Sequence, residues 1–510
     1  MKNILLIVLD GWGIAPYWGG NVFAIAKTPV YTGFLNNYPN SKLHAHGSFV
    51  GLPGNEMGNS EVGHLNIGAG RIVKQDSSLI NQAIGDKSFF TNQVFLESIE
   101  KSQKNNRPIQ VMGLLSNGMV HSSFDHLMAL IDLFQKNNFK NIFYHIFTDG
   151  RDSPPQSGII FLKKLIEKIN QTGVGKIATL AGRFYAMDRD KNYSRTTLSA
   201  DAICRGVGQQ IYNPIKALAD CYANGLTDEF IPPLVLVDSN NLAVFDIREN
   251  DDIIFYNFRQ DRARQIIEKI CAYYPSTKII GFIPYGIEDN KSLKNNLRSA
   301  FSPSKPINHL TEYLSRNNLR QLKIAETEKF NHVTYFFNGL NTKNFQLEER
   351  ILINSKKVSN FRLLPEMSAK KITQRAIRSL NQNEYDFVLV NYANADMVGH
   401  TGDRLAGKIA VETIDDQLSI LVDNAIRNSY SVVITADHGN IEEMLNPQTG
   451  ELQTSHSKNE VPFIIIDNQL KGKIILNNGV LADVAPTILK IMGLKKPVEM
   501  TGKELFKGIV

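Results

Sequence analysis

Short apolar runs alternate with longer amphipathic stretches along nearly the whole chain. Such runs predict strands at residues 4–10, 109–115, 141–149, 177–182, 253–258, 332–337, 387–394, 431–437 and 461–467. Several of them are apolar on both faces, which is typical of parallel strands covered by helices on each side. Residues 403–428 carry apolar side chains three to five positions apart with charges between them, which predicts an amphipathic helix. This alternation predicts an α/β fold.

Two stretches have the composition of junctions between domains. Residues 75–78 (QDSS) follow a glycine-rich segment, and residues 302–306 (SPSKP) form a linker with two prolines. They divide the chain into segments 1–75, 76–303 and 304–510. Because about 75 residues are too few for an independent α/β domain, we expect the first and last segments to share one sheet. The sequence therefore predicts two α/β domains, with the second inserted into a discontinuous first one.

Composition and charge exclude several classes of protein. With 43% hydrophobic and 21% charged residues, the chain has the composition of a globular protein. Its net charge of +6 is too small and too evenly spread to predict a nucleic-acid or membrane partner, although it suits a basic pocket for an anion. The cysteines Cys204, Cys221 and Cys271 form no Cys-x-x-Cys pair, which favours a reducing compartment. No apolar run approaches the ~18 residues of a membrane span, so we expect a cytoplasmic protein.

Aspartates follow three of the predicted strands at their carboxyl ends, at Asp10, Asp396 and Asp437. Ligands of open parallel sheets bind beyond the carboxyl ends of the strands, so the three carboxylates should converge. A single aspartate in this position is often only a helix cap or a turn former. Three of them, two with histidines close by, indicate a shared site.

The histidines near these aspartates indicate that the site binds metal. His400 lies four residues after Asp396, His438 directly follows Asp437, and His456 lies in the polar loop before the next strand. Each histidine alone would more often have a surface or capping role. Together, a mixed set of carboxylates and imidazoles suits Mn²⁺ or Zn²⁺ better than Ca²⁺. Six candidate ligands exceed one tetrahedral site, which favours two ions, an arrangement suited to displacement at phosphorus.

A candidate nucleophile, Ser60, lies in the segment MGNSEVGH at residues 57–64. The glycines around it favour a sharp turn into a helix, where a serine is usually only an N-cap. At the same position a helix N-terminus would stabilise a phosphate carried on the serine. Metal coordination would favour the serine alkoxide, so the segment fits a nucleophile beside the metal site.

The middle segment supplies positive charge for an anionic substrate. Arginines lie in the turns after three predicted strands: Arg151, Arg183, Arg189, Arg259, Arg262 and Arg264. His121 fits the same group of substrate-binding residues. Arginines in such turns are often solvated, but three turns that carry them indicate forks for carboxylate and phosphate. No Gly-Lys pair is followed by Ser or Thr, which excludes a P-loop, and residues 68–70 (GAG) lack the third glycine of a dinucleotide fingerprint.

Eight motifs, in order and from end to end, resemble the 2,3-bisphosphoglycerate-independent phosphoglycerate mutase family. They are residues 10–13 (DGWG), 57–64 (MGNSEVGH), 150–152 (GRD), 257–259 (NFR), 261–264 (DRAR), 326–330 (ETEKF), 396–400 (DMVGH) and 436–440 (ADHGN). The resemblance implies an alkaline-phosphatase-like, metal-binding domain at 1–75 and 304–510 and an inserted substrate-binding domain at 76–303. It also implies a glycolytic isomerase that interconverts 3-phosphoglycerate and 2-phosphoglycerate through a phosphoserine.

The same resemblance implies a role for each matching residue. One Mn²⁺ would be held by Asp396, His400 and His456, and the other by Asp10, Asp437, His438 and the nucleophile Ser60. Lys329, Arg259 and Arg262 would hold the phosphoryl group. Arg151, Arg183, Arg189 and His121 would orient the glycerate, and Asp152 would move the hydroxyl proton.

Two other functions fit part of this pattern. A phosphopentomutase-like enzyme of the same superfamily would use similar metal ligands, although the segment 76–303 is large for the cap of a simple phosphatase. A protein that only binds anions or nucleic acid would use the arginines, but it would leave the metal-type ligands without a purpose. We therefore expect a monomeric enzyme acting on 2- and 3-phosphoglycerate, with no nucleic-acid or membrane partner.

Overall fold

The computed structural model describes residues 1–287, 293, 295–302 and 305–509. Pro303 and Ser304, within the second predicted junction, lie outside the described residues, as do residues 288–292 and 294 before them. In the described part of the chain, no helix is both long and apolar enough to cross a membrane.

The chain divides into two compact units, Met1–Gln75 together with Ser304–Val510, and Asp76–Pro303. Each unit contains an eight-stranded sheet and a hydrophobic core of its own residues. The predicted fold class, an α/β domain inserted into a discontinuous α/β domain, is confirmed.

The strands and helices follow one another in α/β alternation. In chain order the strands are β1 (Asn3–Leu9), β2 (Asn40–His44), β3 (Ile109–Leu115), β4 (Ile142–Thr148), β5 (Lys176–Gly182), β6 (Gln209–Ile211), β7 (Leu234–Leu236), β8 (Asp252–Phe255), β9 (Lys278–Gly281), β10 (Leu297–Ser299), β11 (Gln321–Glu326), β12 (Glu348–Ile353), β13 (Phe387–Tyr392), β14 (Tyr430–Thr435), β15 (Val461–Ile466), β16 (Ile474–Leu476), β17 (Gly479–Val480) and β18 (Phe506–Ile509). The helices are α1 (Pro29–Asn37), α2 (Ser60–Ala69), α3 (Asp76–Gly85), α4 (Gln93–Lys104), α5 (Phe124–Lys136), α6 (Gly158–Thr172), α7 (Arg183–Ala186), α8 (Tyr193–Arg205), α9 (Pro214–Ala223), α10 (Arg264–Tyr273), α11 (Leu310–Arg316), α12 (Ala369–Gln382), α13 (Asn394–Gly399), α14 (Arg404–Arg427) and α15 (Val484–Met492).

The sheet of the discontinuous unit has the strand order β12-β11-β13-β1-β14-β15-β2-β17. The first five of these strands run parallel, and Ile7 of β1 lies opposite Val390 and Ile434 on its two neighbours. Strand β15 differs, because it pairs antiparallel with both β14 and β2. Since β13, β1 and β14 are adjacent and parallel, the residues after their carboxyl ends meet at one edge of the sheet.

The prediction of a strand at residues 332–337 is wrong. His332–Phe336 form a turn of π-helix, a form often found at functional sites. The buried Phe337 that follows stacks against Phe387 of β13, with ring centroids 6.3 Å apart. A short apolar run of this kind is compatible with a buried strand or a buried helix, and only its packing partner distinguishes the two.

The sheet of the inserted unit has the order β10-β9-β8-β3-β4-β5-β7-β6. Its strands are parallel except where β7 pairs with β5. Every residue of β3 is buried, as expected for a central strand covered on both faces. The turns after β4, β5 and β8 carry the predicted arginines, so they too lie at the carboxyl edge of a sheet.

Candidate functional site

Ser60 is the first residue of helix α2, and it is not the N-cap. Asn59 caps the helix, because its side chain accepts a hydrogen bond of 3.0 Å from the backbone N–H of Val62. A Cβ atom on Gly63 would lie 2.5 Å from the carbonyl oxygen of Asp437, so this glycine lets the helix approach the loop after β14. Because Asn59 caps the helix, the Ser60 hydroxyl is available for other partners.

The hydroxyl of Ser60 lies among three charged or basic groups. Its Oγ is 2.9 Å from His438 Nε2 and 3.2 Å from Asp10 Oδ1. Lys329 donates to the same Oγ at 2.7 Å, and its Nζ also lies 2.6 Å from Asp10 Oδ1 and 2.5 Å from Asp396 Oδ2. These carboxylates hold the pKa of the buried lysine above its usual range, although burial opposes the shift. Lys329 is therefore a permanent cation beside the serine.

Asp396, His400 and His456 form a cluster whose ligand atoms all lie within 4.8 Å of one another. The Nδ1 atom of each histidine is 2.7 Å from a backbone carbonyl oxygen, that of Thr454 or of Gly58, and donates to it. In the neutral imidazoles the two Nε2 atoms carry the lone pairs; they lie 3.1 Å apart, and each is 3.2 Å from Asp396 Oδ1. Histidines oriented through a carbonyl, with lone pairs converging on a carboxylate, fit a divalent cation.

Asp10, Asp437 and His438 form a second cluster with the same spread of ligand atoms, and all three are fully buried. Burial lowers the pKa of His438 to about 4, so the imidazole is neutral at neutral pH and could serve as a metal ligand. Burial and the neighbouring Asp437 raise the pKa of Asp10 to about 7. Asp437 Oδ2 accepts no well-formed hydrogen bond from the described residues, because His64 Nδ1, 3.2 Å away, donates to the carbonyl oxygen of Ser60 at 2.9 Å. A divalent cation would compensate this concentration of buried acceptors, so this donor set also fits a metal.

Three polar residues that the sequence did not single out contact these candidate ligands. Asn391 donates to Asp10 Oδ2 at 2.8 Å, and Asn440 donates to Asp396 Oδ1 at 2.9 Å. His64 Nδ1 lies 3.2 Å from Asp437 Oδ2. His64 and Asn440 belong to motifs already recognised, but their roles depend on contacts far away along the chain.

In the inserted unit, Asp149 organises the turn after β4. Its Oδ1 accepts hydrogen bonds from Arg183 Nη1 at 2.6 Å and from the backbone N–H groups of Arg151 and Asp152 at 3.2 and 3.0 Å. Its Oδ2 accepts from Ser116 at 2.5 Å. The sequence analysis missed Asp149, although its position directly after a strand was a usable signal.

Most of the predicted substrate residues of this unit lie around two carboxylates. Arg183 donates to Asp152, and His121 Nε2 lies 3.8 Å from the same carboxylate. Asp261 lies 2.6 Å from Arg189, 3.2 Å from Arg259 and 3.9 Å from His121. Burial and Arg183 lower the pKa of His121 to about 4, so its imidazole is neutral.

The remaining arginines of this unit are held differently. Arg262 donates to the carbonyl of Met187 at 3.1 Å, and burial with the neighbouring arginines Arg183, Arg189 and Arg151 lowers its pKa. Arg151 is largely exposed and lies 3.6 Å from Glu229. Arg264 donates to the carbonyl of Tyr285 at 2.8 Å, which is a backbone contact. Positive charges that lower the pKa of one another would favour an anion bound near them.

Comparison with known proteins agrees with this geometry. The family model of the Metalloenzyme superfamily matches residues 2–496. The 2,3-bisphosphoglycerate-independent phosphoglycerate mutase of Clostridioides difficile (strain 630) is 45% identical over 508 residues, 99% of each chain. That of Clostridium acetobutylicum is also 45% identical, over 511 residues and 99% of each chain. A crystal structure of Leishmania mexicana phosphoglycerate mutase, at low cobalt concentration, is 29% identical with a TM-score of 0.68, covering 99% of this chain and 98% of that chain.

The fold and its two clusters of metal-type ligands thus define a member of the Metalloenzyme superfamily. Within that superfamily, the chain belongs to the 2,3-bisphosphoglycerate-independent phosphoglycerate mutases. It is an enzyme of the class that the sequence predicted.

Proposed function

We propose that this enzyme interconverts 3-phosphoglycerate and 2-phosphoglycerate by passing the phosphoryl group through Ser60. The observation that carries the proposal is the placement of the Ser60 hydroxyl between Lys329, His438 and Asp10, at 2.7, 2.9 and 3.2 Å. A serine at the first position of a helix, beside a fixed cation, is suited to carry a phosphate.

Two Mn²⁺ ions fit the two clusters. Asp396, His400 and His456 would hold one ion, and Asp10, Asp437, His438 and Ser60 would hold the other. When bound, the ions supply positive charge that favours the serine alkoxide and the oxygens of the transferring phosphoryl group. The chain itself supplies the rest of the chemistry.

In the first half-reaction the Ser60 oxygen, whose proton would pass to solvent when the ions bind, bonds to phosphorus as the bond between phosphorus and the glycerate oxygen breaks. Lys329, Arg259 and Arg262 hold the phosphoryl oxygens, and Asp152, which starts the cycle protonated, gives its proton to the departing glycerate oxygen. In the second half-reaction Asp152 takes the proton of the other glycerate hydroxyl, which attacks the phosphoserine and frees Ser60. Arg151, Arg183, Arg189 and His121 hold the glycerate while it changes orientation, with Arg183 already bound to Asp152.

We propose that the enzyme works as a cytoplasmic monomer on these small substrates.

The decisive experiment is conversion of 3-phosphoglycerate without added 2,3-bisphosphoglycerate. Phosphorus NMR should show both isomers at equilibrium with Mn²⁺ present, and no conversion after treatment with a chelator. Mn²⁺ added back should restore activity, and metal analysis should find two ions per chain. Full conversion by the metal-free protein would contradict the two-ion proposal, and a lasting requirement for 2,3-bisphosphoglycerate would contradict the phosphoserine route.

A further inference from the structure

A buried carboxylate that is no metal ligand lies at the centre of the loops that carry the ligands. Glu442, in the short helical turn Ile441–Glu443, is fully buried. Its Oε2 accepts hydrogen bonds from the backbone N–H groups of Gly13 and Asn440, both at 2.9 Å. Its Oε1 accepts from the side-chain amide of Asn459 at 2.9 Å and from the hydroxyl of Ser457. One side chain therefore satisfies four donors.

These donors belong to three separate loops, and each loop carries a proposed metal ligand. Gly13 lies three residues after Asp10, Asn440 lies two residues after His438, and Ser457 directly follows His456. The loops come from distant parts of the chain, since Gly13 and Glu442 are 429 positions apart. Glu442 thus joins the three loops, in addition to direct backbone hydrogen bonds between them such as that from the N–H of Ser457 to the carbonyl oxygen of Gly439 at 2.9 Å.

Asn440 also links Glu442 to the carboxylate of Asp396. Its backbone N–H binds Glu442, while its side-chain amide donates to Asp396 Oδ1 at 2.9 Å. Asp396 belongs to the cluster with His400 and His456, and Asp10 and His438 belong to the other cluster. Glu442 therefore reaches Asp396 through the single residue Asn440, and it reaches Asp10 and His438 through the loops that carry them.

Glycines around Glu442 show how closely the loops approach it. A Cβ atom on Gly13 would lie 2.3 Å from the carboxyl carbon of Glu442, and one on Gly439 would lie 2.4 Å from its Oε1. Neither glycine has a positive φ, so space rather than backbone conformation requires them. The close packing of these glycines is a second reason, separate from the hydrogen bonds, to conclude that the loops meet at Glu442.

We propose that Glu442 is a positioning residue that sets the separation of the two metal clusters. This inference rests on the two-ion function proposed above and adds to it the residue that positions the ligand loops. A buried carboxylate fully paired with four donors fixes their positions strongly, because each donor would be costly to leave unpaired. Displacement of a ligand loop alters both the coordination geometry and the distance between the ions, and catalysis is sensitive to shifts of about 1 Å.

The test is Glu442→Gln, which keeps the shape of the side chain but turns an N–H group toward two of the four donors. Mn²⁺ titrations followed by electron paramagnetic resonance should show affinity weakened by roughly 10-fold or more, as for other residues that orient metal ligands. In the loaded variant, the spin coupling between the two Mn²⁺ ions should change, since it reports their separation directly.

Glu348→Gln is the matched control. Glu348 is a buried carboxylate of the same unit that accepts hydrogen bonds from Arg350, Asn338 and the backbone N–H of Phe345. Its replacement should lower stability yet leave Mn²⁺ affinity and spin coupling unchanged. An equal effect in this control would reduce the Glu442 result to general destabilisation and overturn the proposal.

Other outcomes separate this inference from the function on which it rests. Wild-type protein that binds no Mn²⁺ pair would refute the two-ion function itself. Wild-type protein that binds two coupled ions, with Glu442→Gln showing the same affinities and coupling, would refute only the role of Glu442. If Glu442→Gln does not fold, Ser457→Ala removes a single donor and should weaken chiefly the ion held by His456; unchanged binding there would equally overturn the inference.

Discussion

The chemistry of a single serine is changed by what surrounds it. A hydroxyl in water is a weak nucleophile, but Ser60 has the ammonium of Lys329 at 2.7 Å and the neutral imidazole of His438 at 2.9 Å. Burial and the neighbouring Asp437 raise the pKa of Asp10 beside it to about 7, so a cation bound there would favour the ionised carboxylate. The proposed activation of the serine would therefore be a property of the whole cluster.

Separate variants should divide the two half-reactions at residue scale. Ser60→Ala should abolish both phosphoenzyme formation and turnover, because no other group takes the phosphoryl. Asp152→Asn keeps the shape but removes the acid–base group, so turnover should fall by roughly 10²–10⁴-fold. Ser60 should still be phosphorylated slowly in that variant. Acid quenching with labelled substrate, followed by peptide mapping, measures the phosphoserine.

Asp220→Asn provides the control for this comparison, since Asp220 is an exposed aspartate in the same unit. It should leave turnover unchanged. Near-normal turnover in Asp152→Asn would contradict the proton-transfer role. Label on a residue other than Ser60 would contradict the nucleophile.

At the scale of elements, packing against helix α2 overrides helix propensity. Gly63 lies inside the helix, where alanine is intrinsically favoured by about 1 kcal/mol. Its Cβ atom, however, would meet the carbonyl oxygen of Asp437 at 2.5 Å. Gly63→Ala should therefore lower both the melting temperature and Mn²⁺ affinity, as measured by calorimetry and metal titration.

Gly33→Ala in helix α1 is the matched substitution, because a Cβ atom on Gly33 would meet nothing within 4 Å. It should stabilise the protein by about 0.5–1 kcal/mol without any effect on Mn²⁺ binding. Similar behaviour of the two variants would show that the α2 contact has no special role.

A buried histidine in strand β4 should make the free energy of unfolding depend on pH. His145 is fully buried between Gln110 of β3 and Thr179 of β5, and burial lowers its pKa from 6.5 to about 3. Between these values the unfolded chain binds a proton that the folded chain does not, so stability is full above pH 6.5 and falls on acidification. The loss should reach about 2 kcal/mol at pH 5.

Urea unfolding of wild type and His145→Gln at pH 7.5 and pH 5 measures this contribution. The variant should be less stable at pH 7.5 but should lose less on acidification, because the titrating imidazole is gone. Parallel losses in the two proteins would assign the acid sensitivity to other groups.

At the scale of the whole molecule, each unit has a core of its own residues, so each should unfold as a separate cooperative body. The candidate metal ligands all belong to the discontinuous unit. Mn²⁺ at 100 times its Kd should stabilise that unit by about 2.7 kcal/mol per ion and leave the other transition in place. Calorimetry with and without metal measures both transitions.

A chain of residues 76–302 tests the same point directly. It should fold alone with a melting temperature that Mn²⁺ does not change. Failure to fold, or a metal-dependent shift in this fragment, would contradict the independence of the units.

Local patterns in the sequence were enough to predict the α/β class, most central strands and the aspartates after β1, β13 and β14. Fully apolar runs identify buried parallel strands, and such strands deliver their following residues to one edge. The structure brings Asp10, Ser60, Lys329, Asp396, Asp437 and His438 together, with His400 and His456 adjoining, while their catalytic and metal-binding roles stay predictions.

Only the tertiary structure decided the features that depend on partners distant in the chain. The π-helix at His332–Phe336 has the composition of a strand, and its packing against β13 determines its form. The antiparallel pairing of β15 likewise leaves no local signal, because a doubly buried strand is apolar in either direction. Glu442, Asn391 and Asp149 acquire their roles from hydrogen bonds to groups that other segments deliver. Sequence order carries the local propensities of the chain, whereas these polar contacts exist only after long-range packing has excluded water and brought donor and acceptor together.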